Sequence, residues 1–229
     1  MNVVDLSRTL GGVDDCPIPG HPGVDYKLLH THEVHGRTNA TLKFSIHEGT
    51  HIDPPYHFIA DGQTIDQIPV ETLIAPGFIF RLGAVTPGEA ITLKQLLASA
   101  TPPDDISGYI VIIDSGWGQR IGTDVYYSGS PYLAQDIADW LVAKRVRAVG
   151  LTNPPDKVEA PRKGDAPIHR TLLGNNVLII ENLTNLDAIK DGRFTVVALP
   201  LKIAEGCGGP TRVVAVLGDA FQAAVTGRG

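Results

Sequence analysis

The sequence is poor in cysteine: only Cys16 and Cys207 occur among 229 residues. Two cysteines are too few for a disulfide scaffold, so a reducing compartment is the simpler interpretation. No stretch approaches the roughly 20 apolar residues that a membrane-spanning helix needs. The N-terminus lacks the basic region and the apolar run of a secretory signal. We therefore expect a cytoplasmic protein with no membrane partner.

Positive charge is also scarce. Nineteen lysines and arginines face 25 acidic residues, which gives a net charge of −6, and no basic run occurs. This balance argues against nucleic acid as a partner. The length is sufficient for a substantial hydrophobic core, and we find no internal repeat, low-complexity tract or clear linker. We therefore predict a single domain over residues 1–229.

The central and C-terminal parts of the chain have the pattern of an α/β protein. Residues 109–113 are apolar throughout, which is typical of a strand buried on both faces. A helix with Leu133, Ile137, Trp140 and Leu141 on one face and a strand over 146–151 would complete a β-α-β crossover. We predict further strands over residues 177–180, 194–199 and 211–217, and short helices after Thr92 and from His169 to Leu173.

The first part of the chain differs in composition. Its first 25 residues are rich in glycine and proline, which indicates an extended arm with tight turns. Residues 41–47 then alternate between polar and apolar, as a half-buried strand does. Pro54-Pro55 argues against a helix further on, because proline lacks a backbone donor and Pro55 keeps Pro54 extended. The segment between the strand over 41–47 and these two prolines should be a loop at a strand end, where catalytic groups often lie.

That segment carries a histidine cluster: three of the eight histidines and one aspartate, His47, His51, Asp53 and His57, lie within eleven residues. Imidazole nitrogen and carboxylate oxygen are ligands that suit Zn²⁺ or Mn²⁺. In an extended chain His51 and Asp53 point to the same side, and Gly49 would let the backbone turn so that His47 joins them. The cluster predicts a metal site; the alternative is a polar surface loop that happens to contain histidines.

Two further residues bear on this site. Glu181 follows the apolar run 177–180, and a carboxylate at the end of a buried strand needs a partner that a metal would provide. The hydroxyl of Thr50 is available to hydrogen-bond a metal ligand.

Three other signals have two interpretations each. His30 and His32 would share one face of a strand, where a metal site is conceivable; otherwise these residues and His35 either line a substrate pocket or have no functional role. Cys207 stands in a glycine-rich turn, where a small packing residue is favoured over a nucleophile. Trp117 follows a buried strand and either faces substrate or a partner subunit, or packs in the core.

Several separated motifs resemble the cyclase family of metal-dependent hydrolases, which includes bacterial kynurenine formamidase and isatin hydrolase. They occur in the family's order along nearly the whole chain: Asp5-Leu6-Ser7 with Pro19-Gly20, His47-x-Gly49-Thr50-His51-x-Asp53-x-Pro55-x-His57, Ala166-Pro167-Ile168-His169-Arg170-x-Leu172-Leu173, Ile180-Glu181-Asn182-Leu183, and Leu199-Pro200-Leu201-Lys202-Ile203 with Gly206 and Pro210-x-Arg212.

The resemblance implies an α/β fold with a mixed sheet or flattened barrel flanked by helices, of the swivelling β/β/α type. It also implies a site that holds one or two divalent ions, Zn²⁺ or Mn²⁺, and no organic cofactor. The metal ligands would be His47, His51, Asp53, His169 and Glu181. The catalytic residues would be His57, as general acid/base, and Glu181. Relatives form dimers or tetramers, so a homo-oligomer is implied as well.

This resemblance implies an amide hydrolase, similar to arylformamidase. A bound metal lowers the pKa of its water from about 15.7 to about 7, which gives a hydroxide nucleophile at neutral pH. His57 would hand a proton to the leaving nitrogen of a small linear or cyclic amide or lactam. The alternatives are a metal-dependent cyclase or lyase that stabilises an enolate or oxyanion, and a non-catalytic metal-binding protein of the same fold.

One stretch departs from the family pattern. Relatives carry a run of the type Asp-x-x-Ser-x-Asp after the strand that ends near Gly150, and here residues 152–157 read Thr-Asn-Pro-Pro-Asp-Lys. The first aspartate and the serine are absent. We expect this change to affect the polar surroundings of the site rather than its metal ligands.

Overall fold

The computed structural model describes residues 2–12, 17–158, 166–190 and 193–218, so Cys16 lies outside the described residues. The strands are β1 (Asn2–Asp5), β2 (Asp25–His30), β3 (Asn39–Lys43), β4 (His51–Asp53), β5 (Ile74–Arg81), β6 (Ala90–Ile91), β7 (Ile110–Asp114), β8 (Tyr132–Leu133), β9 (Ala148–Leu151), β10 (Leu178–Glu181), β11 (Phe194–Pro200) and β12 (Gly209–Leu217). The helices are α1 (His32–His35), α2 (Leu93–Ser99), α3 (Val125–Ser128), α4 (Gln135–Ala143) and α5 (Pro167–Gly174).

The main sheet closes on itself. Its strand order is β1-β12-β11-β5-β7-β9-β10-β4, and β4 also pairs with β12. Seven strands therefore form a barrel, and β1 extends the sheet from β12. Neighbours are parallel from β5 through β7 and β9 to β10, and antiparallel elsewhere in this sheet. The predicted mixed sheet or flattened barrel is confirmed.

Side chains of β7 show how the chain fills both faces of this sheet. Ile110 and Ile112 belong to one buried cluster, together with residues of β10, β11 and β12 inside the barrel. Val111 and Ile113 belong to a second cluster, which includes Ile137 of α4. Because successive residues of a strand face opposite sides, a continuous apolar run is what burial on both faces requires. The predicted crossover from β7 through α4 to β9 is confirmed.

Several boundaries differ from the predicted ones. The strand predicted over 41–47 ends at Lys43, since the chain turns before the histidine cluster. Pro55 begins a single 3-10 turn, Pro55–His57, where an extended loop was predicted; proline suits a first helical position because no partner for its missing N–H is needed there. Pro54 is extended, as predicted.

The helices follow their sequence signals more closely. Thr92 caps α2, and its hydroxyl accepts a hydrogen bond from the backbone N–H of Gln95. Leu133 lies in β8 rather than on α4, whereas Ile137 and Leu141 are buried on one face of that helix. Helix α5 begins two residues before the predicted start, at Pro167. Among the described residues, no helix is long and apolar enough to span a membrane.

A glycine in β5 is required by the packing of the barrel. The ring of Phe194 lies over Gly77, and a Cβ at Gly77 would lie 2.1 Å from Phe194 Cε2. We expect Gly77→Ala to lower the free energy of unfolding by about 1–3 kcal/mol, because overpacking forces a buried ring out of place. Gly83→Ala is the control, since a Cβ there meets nothing within 4 Å. Urea unfolding of both variants measures the difference; equal stabilities would contradict the prediction.

Candidate metal centre

The site is built around β4, the strand that closes the barrel. Antiparallel pairing with β10 sets Glu181 opposite His51, and pairing with β12 sets Pro210 opposite His51 on the other side. All three residues of β4 are buried. The carboxylate that follows the apolar run 177–180 is therefore brought to the histidine cluster by strand register, over a sequence distance of 130 residues.

Gly49 turns the chain so that His47 faces back toward Asp53. Its φ is +61°, a conformation that favours glycine, and a Cβ would lie 2.7 Å from Leu10 Cδ2. His47 Nδ1 lies 2.7 Å from Asp53 Oδ1, which is a hydrogen bond within the buried cluster. The turn predicted at Gly49 is confirmed.

The backbone orients the second histidine. His51 Nδ1 lies 2.9 Å from the carbonyl oxygen of Gly49, to which it donates. The same carbonyl accepts a hydrogen bond from the side-chain amide of Asn182, whose φ is +59°. With Nδ1 protonated, His51 directs the lone pair of Nε2 toward Asp53 Oδ1, 3.4 Å away.

Asp156 orients the distant histidine. It accepts hydrogen bonds from the backbone N–H groups of Ile168 and His169, at the start of α5, and from His169 Nδ1 at 2.6 Å. His169 Nε2 then faces Asp53 Oδ2 at 3.6 Å and Glu181 Oε1 at 3.4 Å. Asp156 was not among the predicted site residues, although it stands in the stretch that departs from the family pattern.

We expect Asp156→Asn to weaken metal binding by about 10- to 100-fold, the usual cost of losing a carboxylate that orients a ligating histidine. The reason is that asparagine has an NH₂ group, which cannot accept, in place of one carboxylate oxygen. In Asp156, Oδ2 accepts from both the ring Nδ1 and the backbone N–H of His169. Competition with a chelator measures the metal Kd. Asp104→Asn, on an exposed loop, is the charge-matched control. An unchanged Kd in Asp156→Asn would show that the hydrogen bond does not orient His169.

The cluster is a buried centre of negative charge that the imidazoles compensate. Burial raises the pKa of Asp53, but the neighbouring imidazoles of His51, His169 and His47 hold it well below its ordinary range. Burial lowers the pKa of His47, but Asp53 outweighs it and raises the pKa to about 9. The pKa of His169 is likewise raised, against burial, by Asp156, Asp53 and Glu181. Such a centre attracts cations.

His57 stands at the side of this cluster, at the end of the 3-10 turn. Its ring lies 4.0 Å from the ring of His47, centroid to centroid, and 5.7 Å from that of His169. Burial lowers its pKa to about 3; Asp53 opposes this shift, and the charges of His47 and His169 add to it. At neutral pH the ring of the metal-free chain is therefore uncharged.

The donor set fits a divalent ion. Bond lengths of about 2.0–2.2 Å at tetrahedral angles place N and O ligand atoms about 3.3–3.5 Å apart. His51 Nε2 and Asp53 Oδ1 are 3.4 Å apart, and His169 Nε2 and Glu181 Oε1 are also 3.4 Å apart. Asp53 Oδ2 is buried and has no hydrogen-bond partner among the described residues. An unbonded buried carboxylate oxygen is costly, and an ion would remove that cost.

The structure thus brings together all six predicted site residues. Ligand atoms of His47, His51 and Asp53 lie within 4.8 Å of one another, as do those of Asp53, His57 and His169. Glu181 completes the set through His169.

The expectation for Thr50 is wrong. Its hydroxyl donates to the backbone carbonyl of Asn182 and accepts from the backbone N–H of Arg8, each at 2.9 Å. Thr50 therefore joins the N-terminal segment to the loop after β10, rather than holding a metal ligand.

The first two residues of the departing stretch, Thr152 and Asn153, form an uncharged network with Ser115. Ser115 Oγ lies 2.9 Å from Thr152 Oγ1 and donates to Asn153 Oδ1 at 2.7 Å. Both residues of this pair, Thr152 and Asn153, are buried. The hydroxyl and amide groups of these three residues therefore bond to one another rather than to a candidate metal ligand.

The structure places the second group of histidines and Trp117 outside the metal centre. His30 ends β2 and His32 begins α1, so the two do not share a strand face, and His35 packs on His30 at 4.5 Å between ring centroids. Within the described ranges, no group of three close ligand atoms includes any of them. Trp117 is buried and its indole N–H donates to the carbonyl of Tyr126, as a core residue would.

Cys207 is a second residue whose contact with the cluster the sequence did not indicate. Its sulfur lies 3.6 Å from His47 Nε2, beside the cluster. The signal for this contact is the pairing of β12 with β4, which sets the glycine turn against the histidine loop and is not visible in local sequence.

Comparison with known proteins agrees with the geometry. The cyclase family model matches residues 4–154. The chain is 29% identical to the kynurenine formamidase of Bacillus anthracis over 212 residues, 92% of this chain and 95% of the relative. It is 27% identical to that of Bacillus cytotoxicus over the same lengths.

Solved structures share the fold. An isatin hydrolase bound to the product analogue thioisatinate superimposes with a TM-score of 0.83 at 24% identity, over 94% of this chain and 92% of that one. A predicted metal-dependent hydrolase from Bacillus stearothermophilus superimposes with a TM-score of 0.72 at 26% identity, over 93% of this chain and 97% of that one. The barrel, the buried ligand cluster and the match over residues 4–154 together establish that this chain belongs to the cyclase family.

Proposed function

We propose that the protein is a divalent-metal-dependent hydrolase that cleaves a small linear or cyclic amide, in the manner of an arylformamidase. The observation that carries this proposal is the convergence of two buried carboxylates and three imidazoles on one point, with Asp53 Oδ2 unbonded. Such a set of buried side chains is more stable with a bound cation than without one. Similarity to the formamidases supports the hydrolase class.

The ligands would be His51, Asp53, His169 and Glu181, whose facing atoms have the spacing of atoms bound to one ion. His47 would be a fifth ligand. Its Nδ1 is hydrogen-bonded to Asp53, so the nitrogen it offers to an ion is Nε2. The two oxygens of Asp53 face different histidines, which supports a centre for one or two ions. The histidine and carboxylate donors suit Zn²⁺ and Mn²⁺ alike.

A bound divalent ion would polarise the amide carbonyl and supply a hydroxide nucleophile at neutral pH. The residues of the chain supply proton transfer. His57 is uncharged, lies against His47 and His169, and is partly exposed. It would accept a proton from the attacking water and pass it to the leaving nitrogen, which otherwise departs as a poor anion. Glu181, on β10, would help to hold His169 and the ion in place.

The substrate class follows from relatives that act on carbon–nitrogen bonds. The test is elemental analysis of the purified protein with a hydrolysis screen of N-formyl aryl amines, isatin-like lactams and cyclic imides. We expect metal in the protein and turnover of at least one class, with oxygen from ¹⁸O-labelled water in the product. A product without label would indicate a lyase or cyclase. Metal without any turnover would indicate a binding protein.

We also propose a homodimer or homotetramer, supported by the hairpin of β2 and β3. Tyr26 pairs with Leu42, and Leu28 lies on the same face, yet Tyr26 is 63% exposed and the two leucines are each 49% exposed. A two-stranded hairpin is marginally stable alone, so an apolar face of this kind suits burial against a second copy.

We expect the double variant Tyr26→Ser/Leu28→Ser to shift the protein from oligomer to monomer, because it removes the apolar face of the hairpin. Sedimentation velocity measures the mass. Lys27→Ser is the matched control, since its side chain lies on the opposite face of the same strand. A monomeric native protein would contradict the proposal, as would an oligomer unaffected by the double variant.

The expected single domain over residues 1–229 and the cytoplasmic location remain proposals. Pairing of β1 with β12, from opposite ends of the described chain, supports the first. The low cysteine content supports the second.

A further inference from the structure

The turn between β11 and β12 sets a thiol beside the histidine cluster. Gly208 permits this approach, because a Cβ there would lie 2.6 Å from the Cε1 atom of His47. Gly209 begins β12 and pairs with Ile52 of the closing strand. Cys207 is partly exposed, whereas His47, His51 and Asp53 of the cluster are buried.

The imidazole of His47 has two different neighbours. Nδ1 lies 2.7 Å from Asp53 Oδ1 and donates to this carboxylate, so an ion that displaces the other ring proton binds at Nε2. Nε2 is directed to Cys207, whose Sγ lies 3.6 Å away. A carboxylate that holds Nδ1 as a donor, so that Nε2 serves the ion, is the usual support of a ligating histidine. The nitrogen that His47 offers to an ion therefore faces sulfur.

The spacing of these atoms is that of two ligands on one ion. Zinc–nitrogen bonds of about 2.0–2.1 Å and zinc–sulfur bonds of about 2.3 Å, at a tetrahedral angle, separate N and S by about 3.5–3.6 Å. The observed distance is 3.6 Å. Ligand atoms of His47, His57 and Cys207 all lie within 4.8 Å of one another.

We propose that Cys207, His47 and His57 form a binding position for a thiophilic divalent ion, Zn²⁺ or Cd²⁺, beside the Asp53 centre. Because Nε2 of His47 binds one ion at a time, an ion at this position takes His47 from that centre and leaves it His51, Asp53, His169 and Glu181. Thiolate favours such ions over Mn²⁺, which prefers oxygen ligands. The position goes beyond the proposed hydrolase, whose ligands are nitrogen and oxygen. If His57 acts as the proposed acid/base, an ion here would occupy its nitrogen, so excess Zn²⁺ or Cd²⁺ would inhibit an enzyme that Mn²⁺ activates.

The test is titration of the Mn²⁺-loaded protein with Cd²⁺, followed by ultraviolet absorption of the thiolate-to-cadmium charge transfer and by elemental analysis of bound ions. We expect a charge-transfer band that saturates at one Cys207-dependent ion per chain. Cys207→Ser should lose the band and bind one Cd²⁺ fewer, and His57→Ala should need more Cd²⁺ to reach the same band. Cys16→Ser, which removes the chain's other cysteine, should keep the band.

The outcomes separate this proposal from the proposed function. Bound Cd²⁺ without a band in the native protein would overturn the Cys207 position and leave the Asp53 centre intact. A band that survives Cys207→Ser and disappears in Cys16→Ser would overturn it as well. A protein that binds neither Mn²⁺ nor Cd²⁺ would overturn both. The decisive readings come from the native chain and from Cys16→Ser, in which Cys207 is the remaining cysteine, so they do not depend on how well Cys207→Ser folds.

Discussion

Replacement of His51 by alanine is expected to remove the metal and the activity together. His51 is 1% exposed at the start of the closing strand, and its Nε2 faces Asp53 at 3.4 Å and Glu181 at 4.0 Å. Without it, two buried carboxylates lose the nitrogen that shares their ion. Since a bound metal contributes several kcal/mol to transition-state stabilisation, we expect kcat/KM to fall by at least about 10³-fold.

Elemental analysis measures the metal content of the variant, and kcat/KM is measured with an amide that the native protein hydrolyses. His32→Ala is the control, because His32 lies exposed on α1 and outside the cluster. Retention of full metal content in His51→Ala would show that the ligand assignment is wrong. Loss of activity with metal retained would assign His51 a different role.

His57→Ala is expected to separate metal binding from catalysis. The ring lies at the edge of the cluster, and the Asp53 centre has five other candidate ligands, so most of the metal should remain. Loss of a positioned acid/base should lower kcat by about 10²- to 10⁴-fold. The larger loss is expected for substrates with a poor leaving nitrogen, because these depend most on protonation.

Two substrates with matched shape and different leaving-group basicity provide the measurement. The native protein should show a weak dependence of kcat on leaving-group pKa, and His57→Ala a steep one. An equal reduction for both substrates would argue against proton donation by His57. Parallel metal analysis distinguishes this outcome from loss of the ion.

The local part of the site was predictable from sequence because it depends on local rules. Gly49 turns the chain, and the two-residue spacing of His51 and Asp53 sets them on one face of an extended segment, as found. Glu181 was also predictable, since a carboxylate at the end of a buried run requires a partner. The barrel itself followed from family resemblance, and the parallel crossovers from hydrophobic patterning.

The missed features depend on contacts between distant segments. Asp156 reaches His169 because the loop after β9 meets the start of α5, and residues 159–165 between them carry no local signal of that contact. Cys207 meets His47 through pairing of β12 with β4. Thr50 was assigned to a ligand from its neighbours in sequence, yet its hydroxyl is used by Arg8 and Asn182.

The closing strand of the barrel is only three residues long, His51–Asp53, and two of the three are candidate ligands. It joins β10 on one side and β12 on the other, so it is the seam at which the barrel would open most readily. An ion bound by ligands on this strand, α5 and β10 would also cross-link the barrel at that seam. Retention of the ion and integrity of the barrel are therefore thermodynamically linked: whatever strips the ion loosens the seam, and whatever loosens the seam releases the ion.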